Sequence, residues 1–230
     1  IPEVKIKGEI FSKIEGRGNE KYYYINAITA VCSGFLYTLN PYIPIIGATL
    51  VALIATILSV GFQEIEIDDE NQTNKEVKIS EYIVDLKDSF KFILKSNRLR
   101  SLLIYSGIMW GTFCLVSTYR TSLLEDVGIS ATWIAIISAI VGIASGFGSK
   151  YQLTLHKMLK NKTLSSLAIT TAITIWLSGI FGNSGLSSNI IMILILIFHC
   201  VINLNKGSFG VLMTRYLSNF TNPIILPKIY

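Results

Sequence analysis

Long stretches without charged side chains dominate the chain. Residues 22–63 hold 42 consecutive positions without Asp, Glu, Lys or Arg, and residues 163–205 hold 43. Shorter runs of the same kind cover residues 101–119 and 127–149. A membrane-spanning helix needs roughly 20 apolar residues, whereas barrel strands alternate over about 10. The pattern therefore predicts an all-α membrane protein.

Two helix-breaking sequences divide the longest runs. Asn40-Pro41 interrupts the first run, since proline lacks an N–H and the residue before it avoids the helical region. The Gly-Asn-Ser-Gly sequence at residues 182–185 interrupts the second. Six membrane-spanning helices result. They are predicted at residues 22–39, 42–62, 101–119 (running on to 124), 130–148, 163–181 and 188–206.

The distribution of basic residues predicts how these helices are oriented. Of the 20 Lys and Arg residues, 19 fall in the two ends and in the second and fourth connections. Only Arg120 falls in the other connections. The positive-inside rule then places both termini in the cytoplasm. The predicted organisation is a cytoplasmic loop (1–21), a helix pair (22–62), a linker (63–100), four helices (101–217) and a cytoplasmic tail (218–230).

The linker at residues 63–100 changes character along its length. It opens with acidic residues and then becomes amphipathic. Ile79, Ile83, Leu86, Phe90 and Ile93 recur every three to four residues, and lysines occupy other faces. This spacing predicts a helix. Two interpretations stay open, a helix lying at the membrane surface and a solvated linker helix.

Composition narrows the class of protein further. The chain is 51% hydrophobic and only 15% charged, with a mean hydropathy of +0.52. These values exclude an ordinary soluble domain, a disordered chain and a nucleic-acid-binding module. Few sequence patterns indicate catalysis or metal binding. No His-Glu-x-x-His or Gly-x-Ser-x-Gly motif is present, and the three cysteines lack metal-ligand spacing. We expect no enzyme activity, no metal and no cofactor.

Residues 11–19 read Phe-Ser-Lys-Ile-Glu-Gly-Arg-Gly-Asn, and residues 33–37 read Ser-Gly-Phe-Leu-Tyr. These segments resemble the major facilitator superfamily of secondary transporters, and bacterial drug-efflux-like members in particular. The first is similar to the cytoplasmic loop between that family's fourth and fifth helices, and the second resembles its glycine-bearing fifth helix. Residues 205–207 and 214–217 resemble its tenth helix and the exit from it. The linker resembles the connection between the two six-helix halves.

The resemblance implies that the chain supplies helices five to ten of a partial major-facilitator fold. Both ends fall in polar stretches, so we expect a fragment whose partners include the missing helices of a longer parent protein. The family's transport path lies between two halves. The implied function is secondary transport of small molecules in the bacterial cytoplasmic membrane, by efflux of drug-like compounds. One departure is the loop at residues 148–162, where the family's acidic motif has no Asp.

Polar and aromatic residues on two predicted helices are the candidates for a substrate cavity. Their spacing of three or four residues puts each set on one helical face, and polar groups avoid lipid. The alternatives are ordinary packing for the aromatic residues and the histidine, and interface positions for the two cations. The candidates are Trp110, Phe113, Ser117, Arg120, His199, Asn203 and Lys206.

The coupling ion cannot be assigned to a carboxylate in these helices. No Asp or Glu lies well inside any of the six predicted spans, and His199 is the one group there with an ordinary pKa near neutrality. The resemblance allows a proton as the coupling ion. In that case we expect the necessary carboxylate on a helix of the parent protein that this chain lacks.

Small residues on two spans are candidates for close helix packing. Gly142 and Gly146 form a small-xxx-small pattern, Ala144 and Gly148 form a second pair offset from it by two residues, and Gly34 lies near Ala30 and Ser33 in the first span. Glycine lets helix backbones approach each other closely. We expect these positions to serve packing first, and function only through surfaces that slide during transport.

A different class of function stays open beside the transporter. The chain is alternatively a non-transporting remnant or one piece of a split protein. Extension of the reading frame on both sides would favour a transporter, and flanking stop codons would favour a remnant.

The predicted topology leads to a direct test. Reporter fusions after Glu125 and Gly185 should be active only outside the cytoplasm, and fusions after Asn74 and Lys160 only inside. The expectation follows from the concentration of basic residues on one side. A reversed or mixed pattern at any of the four junctions would contradict the six-span arrangement.

Overall fold

The computed structural model describes residues 2–61 and 79–220 of the chain. Every regular element in these ranges is helical. The elements are α1 (Pro2–Leu39), α2 (Tyr42–Ser59), α3 (Ile79–Lys95), α4 (Asn97–Asp126), α5 (Ala131–Leu159), a short 3-10 helix (Lys160–Lys162), α6 (Thr163–Gly182) and α7 (Ser188–Phe220).

The predicted all-α class and the helix in the linker are confirmed. The helix α3 spans Ile79–Lys95, where apolar residues recur at helical spacing. The turn before α2 contains Asn40, whose Oδ1 accepts a hydrogen bond from the Tyr42 N–H at 2.9 Å. The acidic opening of the linker (63–78) and most of the predicted tail (221–230) lie outside the described residues.

The predicted cytoplasmic loop at residues 1–21 is wrong as a loop. The helix α1 begins at Pro2 and runs without a break to Leu39, so the predicted loop and first span are one helix of 38 residues. Contacts with α5 explain the difference. Ser12 is fully buried and accepts a hydrogen bond from Gln152 Nε2 at 2.8 Å, and Glu20 forms an ion pair with Lys150 at 3.0 Å.

Other helices also extend beyond their predicted spans. The helix α4 starts at Asn97, because the Ser96 Oγ caps it by accepting from the Leu99 N–H at 3.4 Å. The helix α5 continues to Leu159 and therefore includes most of the predicted loop at 150–162. The helix α7 passes through Gly207 to Phe220. Glycine weakens a helix interior by about 0.5–1 kcal/mol, so packing must compensate at this position.

Within the described residues, four helical stretches are long and apolar enough to cross a membrane. They are Tyr42–Ser59, Asn97–Asp126, Ala131–Gly182 and Ser188–Leu217. The third contains 52 residues and includes both α5 and α6. The C-terminal half of α1 is not among them, because Tyr22–Tyr24 and Asn26 make it less apolar. These stretches indicate a multi-pass membrane protein, and the count of six spans stays a prediction.

The helix α5 lies at the centre of the bundle. It packs along α1 on one side and along α7 on the other, and α6 and α4 pack against α7. One hydrophobic cluster joins α4, α6 and α7 around Phe113, Leu167 and Phe209. A second joins the end of α4 to α5 and α7 around Leu124, Val141 and Ile195. The helix α7 therefore contributes to both clusters.

The helix α2 makes few contacts with the rest of the bundle. None of the residues in its apolar stretch Tyr42–Ser59 is buried. Many of its large apolar side chains are exposed, among them Leu53, Ile57 and Leu58. Such a continuous apolar surface is not stable in water. It suits a helix whose surroundings are lipid chains or other apolar helices.

The close contact between α5 and α7 leads to a stability prediction. A Cβ at Gly207 would overlap the backbone carbonyl of Ser145, which cannot move aside as a flexible side chain can. We expect Gly207→Ala to lower the free energy of unfolding by about 1–3 kcal/mol, as overpacking does in cores. Thermal unfolding in detergent micelles, followed by the helical circular dichroism signal, measures the change.

Gly107→Ala is the matched control. Nothing lies within 4 Å of a Cβ at this helical position. The same substitution there should leave stability unchanged or raise it by up to about 1 kcal/mol, through the higher helix propensity of alanine. Equal melting temperatures for the two variants would contradict the packing role of Gly207.

Candidate substrate cavity

Four helices line a partly open space that contains several polar side chains, and we call it the central cavity. Its volume is about 320 Å³. This is near the lower end of the range for small-molecule sites. The lining residues come from α1 (Tyr22, Tyr23, Asn26), α4 (Trp110, Ser117, Arg120), α5 (Ser138, Val141, Gly142, Ser145) and α7 (Asn203, Lys206).

Two predicted residues of α7 line the central cavity, and one of them is fixed by hydrogen bonds. Asn203 is 6% exposed, accepts from Ser145 Oγ at 3.2 Å and donates from Nδ2 to the His199 carbonyl at 2.9 Å. Lys206 is half-buried one turn further along the same face. A buried amide that both donates and accepts is held in one orientation, so Asn203 provides a rigid polar wall.

Arg120 lies between the central cavity and a neighbouring one. Its guanidinium donates from one terminal nitrogen to Ser138 Oγ at 3.2 Å. Its Nε is buried and has no hydrogen-bond partner. The single ion pair between described side chains joins Lys150 to Glu20, so Arg120 has no carboxylate partner in this part of the chain. A buried cation with unused donors suits an anionic group.

The aromatic candidates of α4 separate into two environments. Trp110 is 37% exposed and lines the central cavity. Phe113 is 1% exposed and lies in the hydrophobic cluster with Phe209. It lines neither the central cavity nor the neighbouring one. The three rings contact edge to face, with centroids 5.8–6.1 Å apart. Phe113 therefore supports Trp110 from behind.

Ser117 and His199 lie on opposite sides of Arg120. Ser117 lines the central cavity, and its hydroxyl donates to the Phe113 carbonyl at 2.8 Å. His199 lines the neighbouring space, which we call the side cavity, between α4, α6 and α7. This cavity has a volume of about 560 Å³ and a mostly apolar wall. His199 is 3% exposed, and its Nδ1 lies 2.9 Å from the Ile195 carbonyl.

Seven of the twelve residues that line the central cavity were not among the predicted cavity residues. Tyr23 and Asn26 belong to the less apolar part of α1, and Ser138 and Ser145 belong to α5. A signal for the α5 residues was present in the sequence. Ser138, Gly142 and Ser145 are four and three residues apart, and this spacing places them on one helical face.

The four predicted packing glycines all face a neighbouring helix. A Cβ at Gly34 would contact Ala135, and one at Gly142 would lie 3.5 Å from the Cβ of Ala27. These contacts hold α1 against α5. A Cβ at Gly146 would meet the ring of Tyr24, and one at Gly148 would meet the backbone of Leu204 in α7.

The described residues offer no cluster of metal ligands. No group of three His, Cys, Asp or Glu side chains in these ranges could hold a metal ion. Cys32 and Cys114 are exposed, and Cys200 is half-buried; none forms a disulfide. Comparisons with protein-family models, curated proteins and solved structures find no match to this chain.

The hydrogen bond between Ser145 and Asn203 leads to a coupling prediction. Ser145→Ala, Asn203→Ala and the double variant should give a coupling energy of about 0.6 kcal/mol, within an upper limit of about 1.7 kcal/mol for such bonds in membrane proteins. Equilibrium unfolding of the three variants and the parent in mixed micelles measures it. The control cycle pairs Ser145→Ala with Thr112→Ala, since the Thr112 hydroxyl bonds its own helix, at the Ile108 carbonyl, and does not contact Ser145. Equal coupling energies in both cycles would show that the hydrogen bond between Ser145 and Asn203 does not stabilise the cavity wall.

Proposed function

We propose that the protein is a secondary transporter of the major facilitator type that moves small, partly apolar molecules by alternating access. The observation that supports this most is the central cavity. It collects two cations, two amides and several hydroxyls within a bundle whose other surfaces are largely apolar. Polar groups cost several kcal/mol in hydrocarbon unless they are satisfied. A wet cavity that receives a polar ligand is a reason to keep them there.

The contact between α1 and α5 supports the transport mechanism. In the proposed assignment, α1 and α2 belong to the first half of the transporter and α4–α7 to the second. The two halves would then meet along α1 and α5, and both helices contribute to the wall of the central cavity. Alternating access moves one half against the other around such a site. The small residues Ala27, Gly34 and Gly142 give this interface the smooth surface that sliding needs.

The proposed membrane arrangement has six spans with both termini in the bacterial cytoplasm. The C-terminal half of α1 would be the first span, and α5 and α6 would cross separately. At about 1.5 Å per residue, the 52-residue stretch exceeds one crossing of a core about 30 Å thick. Cytoplasmic parts would include the N-terminal half of α1, where Glu20 pairs with Lys150 beyond the end of the fourth span.

The side chains that line the central cavity limit how a proton could be coupled to transport. Asp and Glu are absent from the wall of the central cavity. Among its lining residues, Arg120 and Lys206 are the ionisable groups besides the two tyrosines. Coupling to a proton would therefore use a carboxylate elsewhere in the complete protein.

Cross-linking of α1 to α5 tests the proposal. Glu20→Cys and Lys150→Cys, placed in a background with Cys32, Cys114 and Cys200 replaced by Ser, would be joined by a reducible methanethiosulfonate cross-linker. The side chains they replace lie 3.0 Å apart. Cells expressing the complete reading frame would be assayed for efflux of fluorescein, ethidium and Nile red. We expect efflux of at least one dye, its loss of about tenfold on cross-linking, and recovery on reduction.

The controls separate locking from chemical damage. Each single-cysteine variant treated with the same reagent should keep its efflux, because one attachment cannot join two helices. Efflux of no dye above non-expressing cells, with the protein present in the membrane, would favour the alternative of a non-transporting remnant. Undiminished efflux in the cross-linked protein would contradict alternating access across α1 and α5.

A further inference from the structure

The central cavity contains more positive than negative charge. Arg120 enters it from α4 and Lys206 from α7, and none of the described carboxylates lines it. Both cations are half-buried, and the Nε of Arg120 is fully buried. An uncompensated charge in a low-dielectric interior is costly, and proteins normally pair it. We therefore expect an anionic group to pair with Arg120 and Lys206.

Among the described residues, no carboxylate supplies this anionic group. Glu20, the acidic residue nearest in sequence to Tyr22 and Tyr23, already pairs with Lys150. Asp126 lines the side cavity together with Arg120, but between described side chains no ion pair joins the two. The buried Nε of Arg120 also lacks an acceptor.

The other residues that line the central cavity indicate the chemistry of a ligand that would pair with the two cations. Asn203 and Ser145 offer polar atoms beside the cations, and Trp110, Tyr22 and Val141 offer aromatic and apolar surface. A guanidinium and an ammonium across one small space suit a carboxylate, which an arginine can bind with two parallel hydrogen bonds. The volume of about 320 Å³ leaves room for an apolar body of one ring and a short chain.

We propose that the central cavity binds a small organic carboxylate with an aromatic or aliphatic body, and that Arg120 and Lys206 hold its charge. Trp110 contacts the apolar body, and Asn203 limits the orientation of the bound molecule. Calling this anion a transported substrate rests on the proposed function, whereas its binding does not.

Binding of matched probes to the purified protein tests the proposal. The protein is placed in nanodiscs of zwitterionic phosphatidylcholine, so that lipid headgroups carry no net charge. Calorimetric titration compares 4-phenylbutyrate, its neutral amide and 4-phenylbutylamine. We expect the carboxylate to bind at least about tenfold more tightly than the amide, and the amine most weakly. Equal affinities, tighter binding of the amine, or no saturable binding of the carboxylate would overturn the proposal.

Variants then assign the effect to the two cations. Arg120→Gln and Lys206→Gln should each weaken 4-phenylbutyrate about tenfold and leave the amide unchanged. Arg98→Gln and Lys162→Gln remove the same charges at exposed positions and should change neither affinity. Equal weakening by the control variants would show general charge attraction and overturn the site. The probe comparison on the unaltered protein stands even where a cavity variant does not fold.

The test separates this proposal from the transport function. Titration needs no gradient and no movement of the helices. Carboxylate selectivity without efflux of any dye would remove the transport proposal and leave the binding site. Efflux of dyes by a protein without carboxylate preference would remove the binding proposal and leave transport.

Discussion

The close approach of α5 to its two neighbours is the constraint on which the rest of the structure depends. Glycines on both sides of α5 bring its backbone near α1 and α7, and hydroxyls complete the contact. Ser149 Oγ donates to the Gly207 carbonyl at 3.1 Å, and Ser208 Oγ donates to the Gly148 carbonyl at 2.9 Å. In a membrane, apolar side chains gain little from leaving lipid, so small residues and interhelical hydrogen bonds hold helices together.

The same close packing explains why the polar cavity exists beside it. Where α1, α5 and α7 touch through small residues, nothing is left for solvent or ligand. Towards α4 the packing is looser, because α4 makes few contacts with α5 and α7, and the space between the four helices opens there. Gly142 and Ser145 both pack against a neighbouring helix and line the cavity, and Asn203 is tied to this region through its bond to Ser145.

The sequence predicted where the helices lie better than it predicted which helices pack against one another. Apolar periodicity located α3, and Gly185, at a positive φ of 63°, marks the turn that separates α6 from α7. Periodicity shows which residues share a face but not which helix covers it. His199 and Lys206 share a face of α7 about 10 Å apart along the axis, and α4 and α6 surround the first while α1 and α5 approach the second. Phe113 likewise lies one turn from Trp110 but points into the core.

The N-terminal half of α1 was missed because its helix depends on tertiary bonds to α5, which no local pattern reveals.

The unbroken course of α1 has a mechanical consequence. At 1.5 Å per residue, its 38 residues form a rod about 57 Å long, longer than the hydrocarbon core is thick. If the rod pivots near Gly34, its arm from Gly34 to Pro2 is about 48 Å long, and a tilt of roughly 10° displaces the far end by about 8 Å, by simple trigonometry on that helical rise. The contacts of Ser12 and Glu20 with α5 lie on the long arm of this lever. Because these weak polar bonds lie far from Gly34, they restrain the angle between α1 and α5 more strongly than bonds close to Gly34 would.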